Sequence, residues 1–463
     1  MAIRIYNTLI RDKAFFEPIH EGEVYMYHCG PTVYDYAHIG NMRAYVFADI
    51  LRRTFEWNKY KVKQIINITD VGHPSSDEDD GEDKIETASQ REHKSAEEVA
   101  KFYTDIFFSD LKKLNVNTTD TIFPRASEHI PEQIELVRIL EEKGFAYKTS
   151  KGIYFDTMKF PDYGKLALLD IKNLREGARV EINPEKRNPT DFSLWKFSPT
   201  PGVRQQEWDS PWGIGFPGWH IECSAMSMKY LGNHFDIHTG GVDHISVHHT
   251  NEIAQSEAAT GEHLANYWMH SAFLSIDGQK MSKSIGNFTT LTDIEKSGIS
   301  PLAFRYFLLG TNYRMPLNFT WSALSGAEKA LLGIYREASL FPKGGTVDED
   351  FSSRFKDVIN NDFNTPQALA LIFELLRSPL PPETKFATLL EFDKVLGLDI
   401  ENSQVVTTIP DEEVPIPVKN LIDEREIARA KKDFERSDLI RTEIAKLGYL
   451  VDDSAEGPKV TKK

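Results

Sequence analysis

Apolar positions in the first third of the chain follow two periods in turn. Residues 24–29 make a short run that ends at the turn pair Gly30-Pro31, which predicts a strand. From Asn41 onward, Ala44, Phe47, Ala48, Leu51 and Phe55 recur at helical spacing, and residues 61–69 read as a second, β-branched strand. Strand, helix, strand predicts a βαβ unit, hence a parallel sheet with ligands near its carboxyl edge. Ser95 and Glu98 form a capping box ahead of a stripe of Val99, Phe102, Ile106 and Leu111. Pro131 and Gly144 bracket another helix, carrying Ile134, Val137 and Leu140. From residue 146 to 208 the pattern breaks into short strands and turns, which reads as an insertion in the first domain. Helical patterning resumes at Pro217-Gly218-Trp219-His220. After Ser300-Pro301 nearly everything is helix-like, until a Pro-rich linker at 410–417 leads to a final segment.

A chain of 463 residues is too long for one ordinary domain, and 40% hydrophobic with 27% charged residues suits a globular protein with a sizeable core. No run of eighteen apolar residues occurs and the first residues lack a signal-peptide pattern, so a cytoplasmic address without a membrane is expected. The only two cysteines, Cys29 and Cys223, exclude a disulfide scaffold and leave two readings, inert core thiols or ligands. A net charge of −16 opposes nucleic acid at long range unless local basic faces exist. The acidic run 77–83 fails as a calcium loop, because placing Gly81 sixth puts Thr87 at the twelfth position. It reads as a solvated loop.

Two short motifs carry candidate chemistry. His38-Ile39-Gly40-Asn41 combines close backbone approach at Gly40 with donors at a helix start, where anions are favoured. Lys280-Met281-Ser282-Lys283-Ser284 puts two lysines on a loop, suited to neutralising a leaving pyrophosphate. The pair resembles the HIGH and KMSKS signatures of class I aminoacyl-tRNA synthetases. That resemblance implies that His38 contacts the ATP phosphates and that Lys280 and Lys283 stabilise adenylate formation. Asn41 stands where the signature has its second histidine and still offers a neutral donor.

Six of the fourteen histidines fall at 220–249: His220, His234, His238, His244, His248 and His249. His248 and Glu252 are four apart on an expected helix and so share a face. With Cys29 and Cys223 they make a donor set suited to zinc; the bland reading is a polar wall of hydrogen-bonding histidines. The tracts 29–41, 220–226, 232–238 and 248–252 resemble those of cysteinyl-tRNA synthetases, and the similarity spans essentially the whole chain. It implies one zinc ion per chain on Cys29, Cys223, His248 and Glu252, ATP with Mg²⁺, L-cysteine and tRNA(Cys) as partners, and a monomer. Cys29, Thr69, Trp219 and His238 are then expected at the cysteine pocket, though Trp219 also reads as core packing. Gly240, Gly241 and Asp243, with His38, Gly40, Asn41 and Lys283, are expected at ATP.

In the tail, Arg425, Arg429 and Lys432 recur at helical spacing, followed by Arg436, Arg441 and Lys446. They are candidate tRNA contacts, with surface ion pairs as the alternative. The fold expected is an α/β, Rossmann-type catalytic domain (1–145 and 209–265) split by an insertion (146–208). A linker region with the lysine loop (266–325), a helical bundle (326–405) and a small anticodon-binding domain (411–463) follow. Two rivals remain: a relative that ligates cysteine to an amino sugar, which has no need of the basic tail, and a catalytically silent tRNA-binding paralogue, which has no need of His38, Lys280 and Lys283.

Overall fold

The computed structural model describes residues 2–73, 83–169, 184–281, 286–403, 411–431, 433–454 and 457–462. Lys283 and Lys432, and residues 77–82 of the acidic run, lie outside that set. The chain opens with the antiparallel pair β1 (Arg4–Asn7) and β2 (Asp12–Phe15). Next come β3 (Glu23–His28), α1 (Ile39–Trp57) and β4 (Lys61–Ile66), the expected βαβ unit, and then α2 (Lys84–Glu92), α3 (Ala96–Lys113) and α4 (Ile130–Glu142). Ser95 caps α3 reciprocally with Glu98, as the spacing predicts.

Four antiparallel strands form a separate sheet: β5 (Ala146–Lys148), β6 (Gly152–Phe155), β7 (Phe192–Phe197) and β8 (Gly215–Pro217). The insertion therefore runs past residue 208, because β8 pairs with β7 from Trp195↔Pro217 to Phe197↔Gly215. Its core of Ile153, Phe155, Leu194 and Trp195 packs on Val137 and Leu140 of α4. α5 (Trp219–Leu231), β9 (Phe235–Gly241), α6 (His248–Thr260) and β10 (Ala265–Ser271) complete the parallel sheet, in the order β10-β9-β3-β4. β10 thus carries the catalytic sheet beyond residue 265, since it pairs with β9 as far as Ser271↔Gly241.

Short strands β11 (Leu274–Ile276) and β12 (Gln279–Lys280) lead through α7 (Leu291–Lys296), α8 (Pro301–Leu309) and β13 (Leu317–Phe319) to the bundle. The bundle consists of α9 (Trp321–Ser339), α10 (Glu349–Ile359), α11 (Thr365–Arg377) and α12 (Pro382–Leu396), so it starts a turn before residue 326. α1 lies between sheet and bundle, which is why it buries more than one face. Met42, Val46, Phe47, Leu51 and Phe55 join one core with Phe355, Phe363 and Phe392. The tail is α13 (Ile416–Ala430), α14 (Phe434–Lys446) and a hairpin, β14 (Tyr449–Ser454) with β15 (Gly457–Lys462). The hairpin was not anticipated among helix-like patterns. Val451 and Val460 place it against Val418, Ile422, Ile440 and Ile444 in a small core of their own.

Asp110 on α3 is a buried acid flanked by Lys113 and Glu295, and burial pushes its pKa up from 3.8 to about 6. A carboxyl whose folded pKa lies above its unfolded value costs no stability below about pH 4 and its full penalty above about pH 6. Asp110→Asn is therefore expected to stabilise the protein by about 1–2 kcal/mol at pH 7.5, with the gain vanishing below pH 4. Denaturant titrations of both proteins across that range check it.

Candidate functional site

The chain leaves β3 for β4 on one side and later places β9 on the other, so β3 and β9 flank a topological switch point. Tyr27 pairs with His238 and His28 with Thr239, and the Cys29 N–H donates to the Thr239 carbonyl at 3.2 Å. Beyond these strand ends opens a cavity of about 560 Å³, the expected place for a ligand in such a sheet. Cys29, Thr69, Trp219, Cys223 and His248 line it, as do Gly240, Gly241 and Asp243, and His38, Gly40, Asn41 and Lys280. Residues from six separate parts of the chain therefore share one space.

Among the described residues, Cys29, Cys223, His248 and Glu252 offer ligand atoms that all lie within 4.8 Å of one another. Glu252 Oε1 is 3.0 Å from His248 Nε2 and 3.9 Å from Cys29 Sγ. A tetrahedral ion with bonds of about 2.0–2.3 Å has edges of about 3.3–3.8 Å, so four such donors fit zinc with little movement. Outer partners aim them. His220 Nδ1 meets His248 Nδ1 at 2.9 Å, leaving Nε2 inward, and His238 Nε2 holds Glu252 Oε2 at 2.8 Å. A second set, Cys29, His238, His249 and Glu252, is equally close, but His238 and His249 are sealed off from the cavity. Only the first set has both thiols and an imidazole on the cavity wall. The expected place of His238 at the cysteine pocket is corrected accordingly: it is wholly buried behind Glu252 and stacked on Trp268.

Electrostatics suit a cation. The hydrogen bond with Cys29, offsetting burial and aided by His248, brings the Cys223 thiol down to about 7, while burial pushes Cys29 up. Burial opposes a charged His248, yet Glu252 and Cys223 more than offset it and raise the ring to about 10. Burial likewise opposes an ionised Glu252, and His238 with His248 hold it below the usual carboxylate range. One thiol is thus poised to ionise beside a carboxylate that already has.

At the other end, His38 caps α1: its Nδ1 accepts from the Asn41 N–H at 3.1 Å, and its own N–H donates to Asn41 Oδ1 at 3.1 Å. Burial lowers the pKa of His38, so the ring is neutral with its proton on Nε2, a donor suited to an anionic oxygen. Asn41 replaces histidine without loss of the helix start because its side chain completes this capping box. Residues that follow the lysine loop pack on the same helix end: the Ile39 N–H donates to the Thr289 carbonyl at 2.9 Å, and the rings of His38 and Phe288 lie 5.5 Å apart. Lys280, exposed on β12, lines the cavity.

Sequence reasoning missed Asn67. Its Oδ1 accepts from the Gly30 N–H at 2.8 Å, its Nδ2 donates to Thr69 Oγ1 at 3.0 Å, and Cys223 Sγ lies 3.7 Å away. An amide within the apolar run 61–69 was the available signal. Gly30 is equally constrained, since a Cβ there would lie 1.5 Å from the Asn67 carbonyl oxygen.

In the tail, Arg425 is 1% exposed and cannot meet a phosphate. With Val418, Ile422 and Ala428 it falls on the inward stripe of α13, so this expected tRNA contact is corrected. Arg436 is exposed 3.5 Å from Glu424, while Arg429 and Arg441 are half-buried.

Comparisons with known proteins identify the relatives of this chain. The family described as tRNA synthetases class I (C) catalytic domain matches residues 15–329, a DALR domain matches 354–378, and a cysteinyl-tRNA ligase anticodon binding domain matches 411–458. Cysteine–tRNA ligase 1 of Burkholderia lata is 50% identical, covering 99% of this chain and 97% of that protein. Cysteine–tRNA ligase of Treponema denticola is 41% identical, covering 98% of each. Among solved structures, Mycobacterium tuberculosis methionyl-tRNA synthetase in complex with methionyl-adenylate superposes with a TM-score of 0.53 at 15% identity, over 81% of this chain and 90% of that one. This last likeness is one of fold.

Proposed function

The chain belongs to the cysteine–tRNA ligase family of class I tRNA synthetases, and from that premise we propose that it activates L-cysteine with ATP and transfers it to tRNA(Cys). In the first step a cysteine carboxylate oxygen attacks the α-phosphorus of ATP, and pyrophosphate leaves. The His38 Nε2–H and the ammonium groups of Lys280 and Lys283 meet the phosphate oxygens, with Mg²⁺ accompanying ATP. Gly240 and Gly241 admit the adenosine closely, and Asp243 accepts from its ribose hydroxyls. In the second step a hydroxyl of the tRNA terminal adenosine attacks the adenylate carbonyl and AMP leaves. Positioning and charge stabilisation carry both steps.

Cys29, Cys223, His248 and Glu252 would hold one zinc ion, which when bound takes the substrate thiolate as a further ligand. That explains selectivity. Apolar contacts separate near-isosteric side chains by only about 1–3 kcal/mol, whereas an alcohol is a poor zinc ligand at neutral pH. Thr69 and Trp219 wall the same end. The observation that carries the reading is the convergence of two thiols and an imidazole on a cavity that His38 and Lys280 also line, with the Glu252 carboxylate buried directly behind them. Action in the cytoplasm as a monomer belongs to the same proposal.

The test is cysteine-dependent ATP–pyrophosphate exchange without tRNA, charging of tRNA against an amino-sugar acceptor, and elemental analysis. Exchange absent under all conditions would leave the silent paralogue, and transfer only to the sugar would leave the other ligase. Lys280→Ala is expected to lower kcat for exchange by about 10²–10³-fold with KM for cysteine little changed, the loss typical of one transition-state donor. Arg436→Ala is expected to weaken tRNA binding at low salt and to reduce the salt slope of log K by about 1. Filter binding across a salt series measures it.

A further inference from the structure

We propose that His244 is a substrate-binding residue whose ring Nε2–H binds the carboxylate of the substrate cysteine, an inference that rests on the cysteine reading of this cavity. His244 lies on the wall of the cavity, yet the chemistry above gives it no task. Its Nδ1 is buried and has no hydrogen-bond partner among the described residues. A Cβ at Gly240 would lie 2.5 Å from that nitrogen, so the ring is seated against the β9 backbone there. A neutral imidazole carries one proton, and it is least costly where an acceptor can reach it. With none at Nδ1, the proton belongs on Nε2, at the accessible edge of the ring.

Position selects the acceptor. The ring centroid is 5.1 Å from those of both His248 and His249 and 6.2 Å from that of Trp219, which puts His244 at the thiol end of the cavity. Asp243, on the adenosine side, directly precedes it in the chain, and Gly241 lies three residues before it. A cysteine whose sulfur reaches the cluster carries its carboxylate three bonds away, between those two groups. The lysines among the described lining residues sit elsewhere: Lys280 is at the end of β12, and Lys84 lies over the Tyr34 ring at 5.6 Å. A donor for the carboxylate at the thiol end is therefore the role left open, and His244 has the free N–H to fill it.

The test uses the zinc-loaded full chain and the variants His244→Leu and His244→Gln. In the exchange assay, KM for cysteine is expected to rise about 10–100-fold in the leucine variant, the loss typical of one hydrogen bond to a charged acceptor. KM for ATP, zinc content and thermal midpoint stay at wild-type values. Glutamine, which presents an amide N–H at similar reach, recovers most of the loss. Cysteamine, a thiol without a carboxylate, inhibits wild type and the leucine variant with equal constants. An unchanged KM for cysteine, a rise confined to KM for ATP, or a parallel weakening of cysteamine each overturns the proposal. Wild-type protein without cysteine-dependent exchange would instead reject the reading of the site as a whole.

Discussion

Cys223→Ser is expected to empty the metal site and to lower kcat/KM for cysteine by more than about 100-fold, while KM for ATP stays within error. Loss of an outer partner of a metal ligand already costs about 10–100-fold, and this substitution removes a ligand. Serine keeps the shape, but its hydroxyl does not ionise near neutral pH, so a thiolate donor is exchanged for a neutral one. ATP is spared because His38 and Gly40 reach the cavity from the start of α1, and Gly240 and Asp243 from β9 and the turn after it, not from α5, which carries residue 223. Elemental analysis, exchange kinetics and the cysteine-to-serine discrimination ratio read the three effects separately. Full activation by a metal-free variant would end the zinc proposal and leave two ordinary buried thiols. His238→Gln is the graded control: of the four proposed ligands it hydrogen-bonds only Glu252, at the far oxygen, so metal affinity should fall less than in the ligand variant.

Asp49→Ala is expected to destabilise the protein by about 3–5 kcal/mol, because it strands a buried guanidinium. Asp49 on α1 and Arg305 on α8 are both fully buried and 2.5 Å apart. The same guanidinium donates to the Leu396 carbonyl at 2.7 Å and the Leu114 carbonyl at 2.9 Å, so one side chain ties α1, α3, α8 and α12 together. Asp49 also accepts from the Asn117 N–H at 2.8 Å and from Arg53 Nε at 2.8 Å. Burial opposes its charge, but Arg305 and Arg53 more than offset it and hold the carboxyl below its ordinary value. Its stabilising effect is therefore complete above about pH 4 and is lost as pH falls through the depressed folded value. Urea midpoints, with hydrogen exchange at α8 and α12, measure the loss. Pairing the change with Arg305→Leu should recover much of it, since the unpaired charge is then gone as well. An Asp49→Ala midpoint equal to wild type would show that the joint between catalytic domain and bundle is held by apolar packing alone.

How much of this was legible beforehand depended on distance along the chain. The His248–Glu252 pair and the Ser95–Glu98 capping box are matters of helical geometry over four residues, and both stand in the structure where spacing put them. The stripe on α1 was equally plain, although its buried Arg43, Asp49 and Arg52 were not. Nothing local announces that Arg43 donates to the Ala272, Phe273 and Met315 carbonyls, because those acceptors exist only once the segment after β10 packs on α1. Arg425 misled for the opposite reason. Its spacing with Arg429 looked like a charged face, while its spacing with Val418 and Ile422 marked the buried one. Two periodicities competed, and burial in the tail core decided between them.

The donor inventory was written in the residues themselves: two thiols in the whole chain, a crowd of imidazoles, one carboxylate a helical turn from one of them, and lysines beside a tight turn. Tertiary structure alone decided which imidazole meets both thiols and which is shut behind the carboxylate. That choice hangs on the register of β3 against β9, which sets residues some two hundred positions apart side by side. Chemical type is a property of each side chain, legible letter by letter; proximity across a sheet is a cooperative result of every pairing in it, and exists only after the chain has folded.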